Sequence, residues 1–476
     1  MSEQATASNS RKNWLILVAI GAFTFMSTLD SSIVNIALPT ISKELHVPMN
    51  QATWTVSIYL IAVSGLLIFF GRLGDLIGKI KIFKIGTIIF TFGSLIAGFN
   101  LGIWFLLFAR FIQAFGAAMT MSNSFGITTS TFPPHQRSRA MATIGVFVSL
   151  GAVAGPGLGG LILQFLPWSY IFWVNVPIGI LAIIMGEKLF PKVTGNDNVP
   201  KLDWVGTILF FLMISSLFLS IEVGQNKGFI HAFVLILFAL SILLFIAFVY
   251  YELHHPDPMI DLTIFKNQLF TISLIAAMLI FVTNFFSSII LPFYLQDLLK
   301  MSPGQSGIIM MVFPIVMMIT SPIGGYLGDK HDKEKVTAFG IAIVVISQLG
   351  YITFNQHTSI AILVLFTGLN AAGASLFQSP NNALVMSSVP KNQLGVAGSV
   401  NALARNLGMI TGISIATTTL FTSMSLQVGH RVTSYVPGRP DVFLTGMHIA
   451  FAISFVIALI TLLIVCYRLF SRKKAA

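Results

Sequence analysis

The sequence predicts an all-helical integral membrane protein with fourteen transmembrane helices grouped as six, two and six. Three observations carry this prediction. The 476 residues are 55% apolar and 9% charged, where a soluble globular domain carries about 25% charge. Fourteen apolar runs are each long enough to cross about 30 Å of hydrocarbon. A five-residue pattern, G-x-L-G-D, also recurs at an offset of 254 residues.

The runs fall at 14–38, 52–71, 82–99, 102–131, 140–165, 170–189, 204–223, 230–251, 270–296, 305–327, 336–354, 359–387, 395–422 and 443–468. Each holds at most one or two charges over a length that suits a membrane-crossing helix, so each reads as one span. The polar segment 1–12 ahead of span 1 carries only Arg11 and Lys12 among its basic residues and lacks a cleavage site, so it reads as a short cytosolic tail. Polar stretches at 193–202 and 252–268 read as linkers. The single cysteine, Cys466, lies in span 14, which leaves no intrachain disulfide and no cysteine-rich metal cage.

An excess of basic charge, +11, would suggest nucleic acid in a soluble domain. Here the 27 Lys and Arg sort by loop: 20 lie on the side of both termini, and Lys43, Lys227, Lys300, Arg431 and Arg439 lie on the other. Arg110 and Arg405 fall within spans. The positive-inside rule places both termini in the cytoplasm, so the surplus reports orientation and nucleic acid drops out as a partner.

The repeat, Gly71 to Asp75 and Gly325 to Asp329, ends spans 2 and 10, and each copy leads into a basic turn. Parallel six-span halves related by an axis along the membrane normal produce such a pattern. The offset exceeds the length of six spans by about two spans, so spans 7 and 8 are extra. The domains then read as an N-terminal bundle over 1–192, a linker with two extra helices over 193–268, and a C-terminal bundle over 269–476.

The loop GRLGDLIGKIKI (71–82) resembles the signature between spans 2 and 3 of the major facilitator superfamily, with Leu76 and Ile80 where the family has basic residues. ARFIQAFG (109–116) resembles its span-4 arginine motif, GAVAGPGLGG (151–160) its span-5 antiporter motif, and LDSSIVNIALP (29–39) the span-1 motif of the fourteen-span group. WSYIFWVNVPIG (168–179), with Ser169 in place of Arg, LDWVG (202–206) and PMIDLTIF (258–265) are similar too. Seven patterns in order along the whole chain identify it as similar to the fourteen-span drug:proton antiporters. That resemblance implies alternating access, with drug moving out as a proton moves in.

Two acids lie within spans away from the cytoplasmic end, Asp30 in span 1 and Glu222 in span 7. A carboxylate at membrane depth is by default a functional candidate, and burial favours its protonated form. Asp30 is the first candidate for proton coupling and Glu222 the second, with permanent pairing or interfacial solvation as their structural alternatives. Arg110 cannot lose its proton and needs a partner, either Asp30 or backbone carbonyls of span 1. The resemblance links the matching arginine to proton transfer. Arg405 in span 13 could instead snorkel.

Asp75 with Lys79 and Arg72, and the repeat copy Asp329, sit at helix ends where a carboxylate caps the next helix. They are candidates for gating contacts, against the plainer reading of folding and topology. Gly151, Gly155, Gly157, Gly159 and Gly160 permit close helix approach, and Pro156 bends span 5. The resemblance implies that Gly155, Pro156 and Gly159 seal the path and flex during the cycle. Asn370, Gln378, Asn381 and Asn382 form one polar stripe on span 12, facing the cavity or another helix. With Asn284 in span 9, Asn35 and Gln113, they are the candidate substrate contacts.

No phosphate-binding loop, HExxH or CxxC is present in the sequence, so ATP drive, metal chemistry and enzyme activity are not expected. The coupling ion is the proton and no cofactor is expected. One proton entering across roughly 100 mV and one pH unit supplies about 3.7 kcal/mol, or about a 500-fold gradient of a neutral substrate. The expected function is monomeric proton-coupled efflux of amphipathic or cationic drugs and dyes, such as quinolones and ethidium, across a bacterial plasma membrane. Export or flipping of a metabolite, siderophore or lipid is the rival, and a membrane sensor without transport is a further one.

Overall fold

The computed structural model describes residues 3–47, 49–190, 202–301, 303–430, 432 and 435–475, and the side chains of 3–11, 35, 36, 39, 49, 50, 156, 225–227, 303, 304 and 470–475 are outside that description. Among the described residues, fourteen helical stretches are long and apolar enough to span a membrane, and each is named here by its main helix. They are α1 (Glu3–Glu44), α2 (Trp54–Ile77), α3 (Lys79–Ala97), α4 (Ile103–Thr131), α5 (Arg137–Phe165), α6 (Asn175–Leu189) and α7 (Trp204–Lys227). After these come α8 (Ala232–His254), α9 (Gln268–Phe293), α10 (Val312–Lys330), α11 (Lys333–Ile352), α12 (Ile360–Ser387), α13 (Leu394–Val428) and α14 (Pro440–Ala475).

The spans expected from the apolar runs and the observed helices coincide one for one. Differences lie at the ends, where hydrogen bonding continues past the apolar stretch. The segment read as a tail joins α1, which starts at Glu3. The linker expected from residue 252 is shorter, because α8 continues through Glu252 to His254 and buries Glu252. The first linker, over 193–201, lies outside the described residues.

Helix starts follow capping chemistry. Asp203 accepts from Gly206 N–H at the start of α7, Asn267 from Leu269 and Phe270 N–H at α9, and Asp332 from Glu334 N–H at α11. Each satisfies a donor that the first turn leaves without an intrahelical partner. Pro292 removes a donor near the end of α9, and the chain widens there into a π turn over Tyr294–Leu298.

The chain divides into two compact units: Met1–Lys266 with Met386–Leu403, and Asn267–Val385 with Ala404–Ala476. In the first, α1 packs along α5, α3 along α4, and the α7–α8 pair rests on α2 through α7. In the second, α14 packs against α9 and α11.

Both units share a tight helix crossing. A methyl group added at Gly86 of α3 would meet the carbonyl oxygen of Gly116 on α4, and one at Gly116 would meet that of Gly86. Gly340 and Gly373 stand in the same reciprocal relation on α11 and α12. The offset of 254 residues carries Gly86 onto Gly340, so the repeat seen in the loops continues inside the packed helices.

Candidate functional site

In the first unit, α1 brings Asp30 into a fully enclosed position against α2, α4 and α6. Asp30 is 0% and Arg110 1% exposed, which excludes water as the partner of either charge. Arg110 Nη1 donates to Asp30 Oδ2 at 2.6 Å, while Gln113 Nε2 and Asn175 Nδ2 each donate to Oδ1 at 2.8 Å. An anion that accepts three donors in a dry site is well satisfied as a carboxylate.

Arg110 is held on its other side too. Its Nε donates to Thr55 O at 2.9 Å, its Nη1 also donates to Gln113 Oε1 at 2.5 Å, and its guanidinium lies 4.3 Å from the centre of the Tyr59 ring. The backbone carbonyl it uses belongs to span 2, where span 1 was expected. Gln113 Nε2 also donates to Ser94 Oγ at 2.8 Å. Gln113, expected to touch substrate, thus has both ends of its amide engaged in the ion-pair network and is wholly buried.

Three of the five glycines in the 151–160 motif of α5 form the seam with α1. A methyl at Gly151 would meet Phe25 O, one at Gly155 the Ser32 side chain, and one at Gly159 the Ile33 side chain. Ser32 Oγ donates across the seam to Gly151 O at 3.2 Å. Gly157 and Gly160 differ from expectation: nothing lies within 4 Å of either position, because they face away from α1. The side chains of Pro156 and Asn35 lie outside the described residues.

Glu222 on α7 is partly buried and hydrogen bonds to Ser57, so the extra helix pair touches α2 between Thr55 and Tyr59, the two residues of α2 that contact Arg110. Asp75 forms an ion pair with Lys79 at 2.5 Å and accepts from Gly395 N–H at 2.9 Å and Val396 N–H at 3.0 Å. Sequence proximity suggested that it caps the next helix, α3. It caps α13 instead, because Gly78 breaks the helix after Asp75 (φ 106°) and the free amides within reach are those of the distant α13 terminus. Arg72 faces Asp261, whose carboxyl is held below the usual range by the Thr263 hydroxyl first and by Gln393 and Arg72 after it. Asp329 is partly buried at the end of α10.

The polar stripe of α12 divides. Asn370 Oδ1 accepts from Ser347 Oγ and Gln348 Nε2, each at 3.2 Å, and its Nδ2 donates to Ser287 Oγ at 3.4 Å. Asn381 Nδ2 donates to Ser273 O at 3.0 Å. Both therefore bind α9 and its neighbours. Gln378 is partly buried, and Asn382 is buried. Asn284 is 92% buried by its 8% exposure, and its Oδ1 accepts no hydrogen bond from any described residue.

Two arrangements escaped the reading of the sequence. Arg468, counted with the loop cations, is buried in the second unit, donating to Ser273 Oγ at 2.7 Å and Thr337 Oγ1 at 2.8 Å, with Glu334 at 3.6 Å. Its nearness to the end of span 14 hid this, since terminal cations usually reach water. The second is a neutral counterpart of the ion-pair network. The 254-residue offset carries Asp30 onto Asn284 and Ser94 onto Gln348; Gln348 bonds Asn370 of α12 as Ser94 bonds Gln113 of α4, although the same offset carries Gln113 onto Thr367.

Comparison with known proteins follows the same lines. The family model described as Major Facilitator Superfamily matches residues 20–274 and 269–476. The chain belongs to the major facilitator superfamily. A superfamily member named riboflavin transporter RibZ, from Clostridioides difficile, is 32% identical over 89% of this chain and 91% of its own length. The multidrug export protein EmrB of Escherichia coli is 27% identical over 90% of this chain and 84% of its own. The human organic anion transporter MFSD10 shares the fold, with a TM-score of 0.63 at 14% identity, covering 96% of this chain and 98% of that one. These relatives are transporters, and with fourteen apolar helices the chain is a multi-pass membrane protein of the same superfamily.

Proposed function

We propose that this transporter is a proton-coupled exporter of amphipathic or cationic drugs and dyes, working by alternating access with Asp30 as the coupling carboxylate. The observation that carries the reading is the enclosure of Asp30 against Arg110, Gln113 and Asn175 at the glycine-lined seam of α1 and α5. Protonation of Asp30 removes the charge that holds Arg110. The guanidinium keeps Thr55 O, Gln113 Oε1 and the Tyr59 ring but loses its counterion, so the contact of α1 with α4 and α6 weakens. The multidrug export protein EmrB among its relatives supports the substrate class.

In this proposal Glu222 is a second titrating site next to Ser57, and the contacts of Asp75, Lys79 and Arg72 with α13 and Asp261 make and break as one side opens. The transporter acts as a monomer in a bacterial plasma membrane with both termini cytoplasmic, and uses no ATP.

The experiment is ethidium or fluoroquinolone transport in proteoliposomes under an imposed pH gradient. Wild type concentrates the dye against its gradient. Asp30→Asn loses uphill transport and keeps downhill exchange. Normal pumping by Asp30→Asn would remove Asp30 from coupling.

A second reading has one specific observation behind it, the 32% identity to a riboflavin transporter. The substrate would then be a polar heterocyclic metabolite, with Asn284 Oδ1 as one contact. Saturable riboflavin flux in the same vesicles, without dye flux, would favour it.

A further inference from the structure

The extra helix pair carries two acids that the coupling scheme does not use. Asp203 begins α7 and Glu252 lies in the last turn of α8, 6% and 3% exposed. Asp203 Oδ2 and Glu252 Oε1 converge beside Gly206, within hydrogen-bonding reach of one another. Neither of these two oxygens receives a hydrogen bond from any described donor. Their other oxygens are committed, Asp203 Oδ1 to Gly206 N–H at 2.8 Å and Glu252 Oε2 to Ile260 N–H at 3.0 Å.

Among the described residues no cation pairs with either acid. From α8, Tyr251 turns its hydroxyl to Asp203, and His255 stacks on the Tyr251 ring. From the connection after α8 come Asp257 and Asp261, and from α2 comes Arg72, which faces Asp261. No described lysine or arginine forms an ion pair with Asp203 or Glu252. Two carboxylates in contact and out of water cannot both be ionised at neutral pH.

We infer that Asp203 and Glu252 bind one proton between them and form a further proton site, separate from Asp30 and Glu222, which latches α7 and α8 to the connection at 255–262. Helix ends decide which acid holds the proton. Asp203 caps the positive end of α7, which favours its anion, whereas Glu252 sits at the negative end of α8, which opposes one. Glu252 therefore carries the proton on Oε1 and donates it to Asp203 Oδ2. The pair then bears one negative charge, and Glu252 Oε2 stays free to hold the amide of Ile260. Loss of the proton sets two like charges side by side and releases that amide.

A route for the proton exists. Glu252 lines a cavity of about 460 Å³ that also meets Arg72, His255, Asp257, Asp261 and Gln393. The site can thus exchange with water at the end of the helix pair while its two reacting oxygens stay buried. It stands apart from the Asp30 network and does not depend on what the transporter carries.

The test is infrared titration of the full-length protein in lipid. Wild type at neutral pH should show the carbonyl stretch of one protonated carboxylic acid that fades on alkaline titration. Glu252→Gln should lose it, while Asp30→Asn and Glu222→Gln keep it. Asp203→Asn should shift the band or remove it at neutral pH, because it takes away the like charge and changes the acceptor from carboxylate to amide. That change decides the matter if Glu252→Gln does not fold. A band identical in wild type, Glu252→Gln and Asp203→Asn overturns the inference. So does a wild-type band that appears only after a chelator or sodium removal, which would mean a bound cation in the proton's place.

Discussion

Asp30 and Arg110 are each other's answer to the cost of burying charge. Breaking a buried pair by removing one member costs about 3–5 kcal/mol, because the partner charge is left without compensation. Asp30→Asn and Arg110→Gln should therefore each lower the unfolding free energy by about that amount. The double variant should lose less than the two combined, since it leaves neither charge behind. Denaturant unfolding in detergent, run as a double-mutant cycle, measures the difference. At this scale legibility followed charge. Asp30 and Arg110 stand out in the sequence because ionised groups are rare in apolar runs. Gln113 and Asn175, which complete the shell of Asp30, do not, because an amide in a span has many innocent roles. Arg468 was hidden by its place near a span end, and the meeting of Asp203 with Glu252 by the length of chain between them.

Among elements, the crossings of α3 with α4 and of α11 with α12 depend on hydrogen atoms where other residues carry a side chain. Gly86→Ala, Gly116→Ala, Gly340→Ala and Gly373→Ala should each force the helices apart and cost about 1–3 kcal/mol. Gly157→Ala, in open space on α5, should instead be neutral or stabilise by about 0.5–1 kcal/mol through helix propensity. Thermal unfolding in detergent separates the two groups. The span pattern predicted every one of the fourteen helices, since hydropathy over a membrane thickness is a long and redundant signal. It could not predict which helix Asp75 caps. That partner lies 320 residues away and is chosen by the tertiary fold.

As a whole, the molecule is a duplicated scaffold whose two copies carry buried charge at different places, Asp30 with Arg110 in one and Arg468 with Glu334 in the other. The frame repeats down to the glycine crossings, yet the acid of the first unit corresponds to an amide in the second. The repeat was legible from two short loops because turns at helix ends need particular residues. Its extension into the polar networks was not, since Asn284, Gln348 and Asn370 share no pattern with Asp30, Ser94 and Gln113 until they are placed in space. The complete enclosure of Asp30 also governs timing. A group that no solvent touches cannot trade protons with a buffer, however concentrated. In the proposed cycle, exchange at Asp30 is therefore clocked by how often α1 parts from its neighbours. Raising buffer concentration tenfold at fixed pH and ionic strength should leave the turnover rate in proteoliposomes unchanged. Adding bulk at Gly155 or Gly159 on the α1 seam should change it.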